Sequence, residues 1–220
     1  MPFYNGNGEI VGADGNYTPY SNMKLATMGD SFTASSGWVT SMATKLGMKL
    51  VKNVAGGGAR WSATADAGTS YLQAQSLDDC ELDCILITLG INDCNNNIEI
   101  GEIVHSIDEN TFDQTKVIGG IQATLVHLQN IHPNALIFVG YTPASGCGYL
   151  TKNEPYIDAI KKCALVHGVR YVETRTLGYS AFSESYKDLW ESGVPKAGHP
   201  TAAAHPVIGN AMAQQLMAQF

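Results

Sequence analysis

Apolar residues along this chain follow two alternating rhythms. Leu25 to Met28, Leu50 to Ala55, Cys84 to Leu89, Leu136 to Tyr141 and Val169 to Val172 are short runs, several of them apolar at consecutive positions, and they predict strands. Apolarity that does not alternate calls for burial on both faces, which a parallel sheet covered by helices on each side provides. Between the runs the spacing turns helical. A helix is predicted over 37–46, another around Val117, Ile121, Leu125 and Leu128, and a third around Ile157, Ile160, Ala164 and Leu165. Asn153-Glu154-Pro155 predicts the opening of that third helix, and Gly168 its left-handed C-terminal cap. A final helix, from about Thr201, sets Ile208, Met212, Leu216 and Phe220 along one face. The alternation predicts an α/β fold, a three-layer α/β/α sandwich around a central parallel five-stranded sheet, with chemistry gathered at the carboxyl ends of the strands.

Composition narrows the reading. Residues 1–23, with Gly6, Gly8, Gly12 and Gly15 among Asn, Tyr and Pro, predict an N-terminal arm, and residues 24–220 a single domain. The net charge of −7 and only 13 scattered Lys and Arg argue against a nucleic-acid partner, because a phosphate backbone is held by clustered cations. No apolar run approaches the ~20 residues that cross a bilayer. Met1 to Tyr20 lacks a signal-peptide stretch, so a soluble chain is expected, cytoplasmic by default, with secretion or particle association as the other reading. Cys80, Cys84, Cys94, Cys147 and Cys163 are expected as free thiols, with a Cys94–Cys147 bridge as one alternative, since both residues fall in loops at the same end of neighbouring strands.

Four segments carry candidate chemistry. In Met28-Gly29-Asp30-Ser31-Phe32 a glycine permits a tight turn and a hydroxyl stands at the first strand's carboxyl edge, so Ser31 reads either as a nucleophile or as a helix N-cap. Asn53-Val54-Ala55-Gly56-Gly57-Gly58-Ala59 is a tight turn or an oxyanion loop. The Lys and Ser or Thr of a phosphate loop do not follow it; Ala59-Arg60-Trp61 stand there instead. Gly90-Ile91-Asn92-Asp93 brings an amide with two donors to the third strand's end, unless it is simply a turn. In Gly198-His199-Pro200-Thr201 the proline keeps His199 out of helical geometry, so that its ring can reach back over the sheet. No metal site or cofactor is expected. His199 and His205, six residues apart, do not share a helical face, and His205 is read as a helix residue with a solvent or backbone partner.

In order and approximate spacing the four segments resemble the SGNH (GDSL-type) hydrolases, over roughly residues 24–217. The resemblance implies the flavodoxin-like SGNH hydrolase fold and a serine esterase. It assigns Ser31 as nucleophile, His199 as base, and the amides of Ser31 and Gly58 with the side chain of Asn92 as oxyanion hole. Gly58 is preferred because it lies five residues after Asn53, the family's Asn and Gly spacing. The family's Asp three residues before its His is absent, and Lys196 stands there. A backbone carbonyl, Glu191 or Asp188 in its place, or loss of catalysis, are the alternatives. The expected substrates are short acyl, chiefly acetyl, esters of carbohydrates or other small molecules. Trp61, Tyr141-Thr142-Pro143 and residues 145–149 are possible aromatic platforms, with core packing as the equal reading for Trp61. The rival class is a non-catalytic carbohydrate-binding or particle-associated module that keeps the fold.

Overall fold

The computed structural model describes residues 18–35, 37–63, 68–143, 150–174, 184–191 and 198–219. Five strands, β1 (Lys24–Gly29), β2 (Lys49–Asn53), β3 (Cys84–Thr88), β4 (Leu136–Gly140) and β5 (Arg170–Val172), form one sheet in the order β2-β1-β3-β4-β5, and every pairing is parallel. The helices are α1 (Ser31–Ala34), α2 (Gly37–Leu46), α3 (Ser70–Gln75), α4 (Ile91–Asn95), α5 (Val117–Ile131), α6 (Leu150–His167) and α7 (Ala204–Met217).

Side chains alternate across the sheet while both faces stay dry, which is why the strands look continuously apolar. Ala26, Met28, Ile85, Ile87, Ile137 and Val139 join one core with Leu125 of α5 and Ile160 of α6. Leu25, Cys84, Leu86 and Phe138 join a second core with Trp38 and Met42 of α2 and Met212 and Leu216 of α7. The edge strand β2 is half exposed, and the interior strand β3 is buried throughout.

Several boundaries differ from expectation. α6 begins at Leu150, so Pro155 lies inside it; Asn153, 2% exposed, accepts a bond from the Cys94 thiol at 3.0 Å within the helix instead of opening it. α7 begins at Ala204, because Thr201 is bonded back to Leu189 O and Asp188 O. Gly168 has the expected left-handed φ of 66°. Of the predicted arm, Thr18 to Met23 pack as turns on the second core: Tyr20 is wholly buried and donates to Leu216 O at 2.7 Å. Residues 1–17 lie outside the described residues, as do Cys147 and Phe220. Cys80, Cys84, Cys94 and Cys163 are free thiols, so the alternative of a bridged Cys94 gives way to the contact with Asn153. Among the described residues no helix is long and apolar enough to cross a membrane.

Candidate active site

The turn after β1 is built by the residues around the serine. Asp30, wholly buried, caps α1 by accepting Phe32 N at 3.0 Å, and it also accepts Thr142 Oγ1 at 2.6 Å from the end of β4. Burial pushes its carboxyl up to about 7, against the pull of both bonds. Gly29 sits where a Cβ would lie 2.5 Å from Thr33 Oγ1 and 2.9 Å from Thr88 O, so a larger residue would wedge β1 from the turn. Its amide and carbonyl are both held by Gln73 of α3, N to Oε1 at 3.0 Å and O to Nε2 at 2.9 Å.

Ser31 follows on the first turn of α1, and its Oγ lies 2.7 Å from His199 Nε2. The two residues are 168 apart in sequence. If the hydroxyl donates to Nε2, the neutral ring carries its proton on Nδ1. That nitrogen faces Glu191 Oε2 at 3.5 Å, ion-pair range but longer than an ordinary hydrogen bond. Phe32 stacks on the imidazole, with ring centroids 4.7 Å apart and planes 28° apart. His199 has non-helical neighbours, as expected: Pro200 forms an isolated antiparallel bridge with Trp190, Glu191 N donates to His199 O at 3.0 Å, and Thr201 N to Leu189 O at 2.9 Å.

The glycine loop and the Asn92 turn join the same edge. Gly56 N donates to Gly29 O at 3.0 Å, and Asn92 Nδ2 to Ala59 O at 3.0 Å. Gly58 has a φ of 75°, open to glycine at little cost, and lies exposed beside Ala59. Asp93 fastens the segment beyond the loop, accepting Trp61 N at 3.0 Å, Ser62 N at 3.1 Å and Ser62 Oγ at 2.8 Å. Burial raises its carboxyl and these three donors oppose the rise. Asn53 bridges the end of β2 to α1 through Thr33 O at 2.9 Å.

Other expectations fare differently. Trp61 and Tyr141 are wholly buried core residues and offer no platform to a ligand. Thr142 points its hydroxyl to Asp30, and residues 145–149 lie outside the described residues, as does Lys196. Asp188 is exposed, and its carbonyl accepts Thr201 Oγ1 at 2.7 Å. His205 lies in α7, as expected, and is partly exposed; its ring stands where a Cβ on Gly37 would lie, and its buried Nδ1 has no partner among the described residues. Among the described residues no three His, Cys, Asp or Glu converge as metal ligands. The polar anchors Gln73, Asp93 and Asn53 were not assigned these roles from sequence, since a Gln, an Asp or an Asn in isolation has no pattern that announces its partner.

The parallel sheet and the Ser, Gly, Asn and His blocks at its carboxyl edge are those of a carboxylic ester hydrolase. The chain belongs to the GDSL-like Lipase/Acylhydrolase family, whose model matches residues 27–207. It is similar in structure to a GDSL-like lipase candidate from Bacteroides ovatus ATCC 8483, with a TM-score of 0.67 at 15% identity over 91% of this chain and 100% of that one. It is similar to a carbohydrate esterase family 2 enzyme with a carbohydrate-binding domain from Corynascus thermopiles (Myceliophthora fergusii), with a TM-score of 0.59 at 18% identity over 92% of this chain and 67% of that one. A third similar structure is the psychrotrophic esterase EstA from a Pseudoalteromonas species, inhibited by monoethylphosphonate, with a TM-score of 0.58 at 15% identity over 90% and 98%. No curated protein matches the chain in sequence.

Proposed function

We propose that this protein is a serine esterase that hydrolyses short acyl, chiefly acetyl, esters of carbohydrates through an acyl-enzyme. The observation that carries the reading is the 2.7 Å contact between Ser31 Oγ and His199 Nε2. His199 takes the Ser31 proton as the oxygen attacks the ester carbonyl. The amides of Ser31 and Gly58 and the side chain of Asn92 hold the developing oxyanion. Asn92 gives one N–H to Ala59 O and keeps its second for that oxygen. The tetrahedral species collapses as His199 returns the proton to the leaving alcohol. Water, activated by the same ring, then releases the acid.

Support for a small acyl group comes from the open, polar rim. The His199 side chain is 49% exposed, Gly57 and Gly58 are exposed, and the large exposed hydrophobics among the described residues, such as Leu72, Ile107 and Leu165, belong to none of the four blocks. A fatty chain needs apolar cover; an acetyl group does not. Carbohydrate as the alcohol rests on likeness to the Corynascus esterase.

The test is labelling with a fluorophosphonate and turnover of p-nitrophenyl acetate and of acetylated oligosaccharide. Wild type should label and turn over both, losing rate as the acyl chain lengthens to octanoyl, and Ser31→Ala should lose labelling and at least ~10³ of turnover. Wild-type labelling in Ser31→Ala overturns the mechanism, and faster octanoyl than acetyl turnover overturns the substrate class.

A further inference from the structure

A Ser–His pair works as a base only if the imidazole presents a lone pair at Nε2, and that tautomer is secured by whatever faces Nδ1. Here the group facing Nδ1 is the Glu191 carboxylate. We propose that Glu191 is the positioning acid of this site, orienting His199 and offsetting the charge of the imidazolium; the inference rests on the Ser31–His199 reading above.

The placement follows from backbone geometry more than from a chance approach of two surface side chains. Trp190 and Pro200 face each other in an antiparallel bridge, with bonds on either side from Glu191 N to His199 O and from Thr201 N to Leu189 O. One step along that pairing sets Glu191 opposite His199. Opposed residues of an antiparallel pair project to the same side, with Cβ atoms about 4.5–5.5 Å apart, so the register delivers the carboxylate beside the ring. A third bond, Thr201 Oγ1 to Asp188 O at 2.7 Å, ties down the far end of the clip. Trp190, 3% exposed, anchors it in the protein.

The rival acid, Asp188, precedes this pairing and is engaged there through its carbonyl. The position three residues before His199 holds a lysine, which cannot accept from Nδ1–H. During attack the Ser31 proton moves to Nε2 while Nδ1 keeps its own, and the ring becomes a cation. A carboxylate at 3.5 Å stabilises that cation far more than the neutral resting ring it orients, so its larger effect falls on the transition state. Because the Glu191 side chain is 60% exposed, water screens it, and its effect falls below the ~10⁴ of a buried triad acid.

The experiment compares Glu191→Gln, Glu191→Asp, Asp188→Asn and Ser31→Ala with wild type, by p-nitrophenyl acetate kinetics and by melting temperature. Glu191→Gln is expected to lower kcat about 10- to 100-fold with KM within about twofold and melting unchanged. Glu191→Asp should recover part of the lost kcat, and Asp188→Asn should match wild type. Wild-type kcat in Glu191→Gln, a loss carried by KM instead of kcat, no recovery in Glu191→Asp, or the loss appearing in Asp188→Asn instead, each overturns the proposal. Ser31→Ala separates the two levels: if it abolishes turnover while Glu191→Gln behaves as wild type, the assignment of Glu191 alone fails, and if it retains turnover, the serine mechanism beneath it fails as well.

Discussion

Asp30 illustrates how a residue beside the reacting one does its work through the backbone. It touches no candidate reacting atom, yet it caps the helix that begins at Ser31 and reaches across to Thr142 at the end of β4. Wholly buried, its carboxyl ionises only around pH 7 in the folded protein, against an ordinary value of 3.8. The unfolded chain therefore sheds this proton at lower pH than the folded one. Asp30 stabilises the fold fully below about pH 4, and that contribution declines as pH rises through about 7, by on the order of a few kcal/mol. Melting temperature measured from pH 4 to 8 should fall several degrees further in wild type than in Asp30→Asn, which keeps an oxygen for Phe32 N. A parallel pair of curves would refute the buried-acid account. The sequence displayed Ser31, Gly58, Asn92 and His199 because each stands in a short motif whose neighbours, and whose order along the chain, make it recognisable. Asp30 and Gln73 were visible only as residues, since a hydrogen-bond partner 112 or 44 positions away leaves no local trace.

At the scale of elements, legibility followed burial. Interior strands such as β3 announced themselves by unbroken apolarity, and α5 by the helical spacing of Val117, Ile121, Leu125 and Leu128. The start of α6 was misread because Asn153 and Pro155 look like an opening, when Asn153 is buried inside the helix against Cys94. The clip of Trp190 and Pro200 was invisible, being one bridge between two irregular segments. α5 shows what packing asks of an element beyond pattern. Its consecutive Gly119 and Gly120 are poor helix formers, and in an open helix replacing either with Ala would gain about 1 kcal/mol. A Cβ on Gly120, however, would lie 2.0 Å from Trp61 O, the backbone that Asp93 holds through its Trp61 and Ser62 bonds. Overpacking of this kind costs about 1–3 kcal/mol or more, so steric conflict exceeds propensity. Gly120→Ala should lower the melting temperature by roughly 2–8 °C, and it should lower kcat as well, since Asp93 adjoins Asn92. A rise in melting temperature would show that Trp61 yields freely and that the glycine is not required for this approach.

Taken whole, the molecule gathers its candidate site on one edge because three neighbouring parallel strands, β2, β1 and β3, end there together, and the clip before α7 brings His199 to Ser31. That edge belongs to a protein of net charge −7, with exposed Asp188 and Glu191 carboxylates on the segment bonded to His199's strand. An anionic ester therefore approaches against a repulsive field, whereas a neutral one does not. Salt contracts the reach of that field from about 30 Å at 0.01 M to about 8 Å at 0.15 M. The kcat/KM for an acetylated uronic-acid oligosaccharide should accordingly rise about two- to fivefold across that range, while the value for its neutral counterpart stays level. Because encounter is affected and chemistry is not, the change should appear in KM rather than kcat. A fall with salt for the anionic ester would mean that cations dominate the approach to Ser31 despite the overall charge, and the sign of the field at this edge would then have to be reversed.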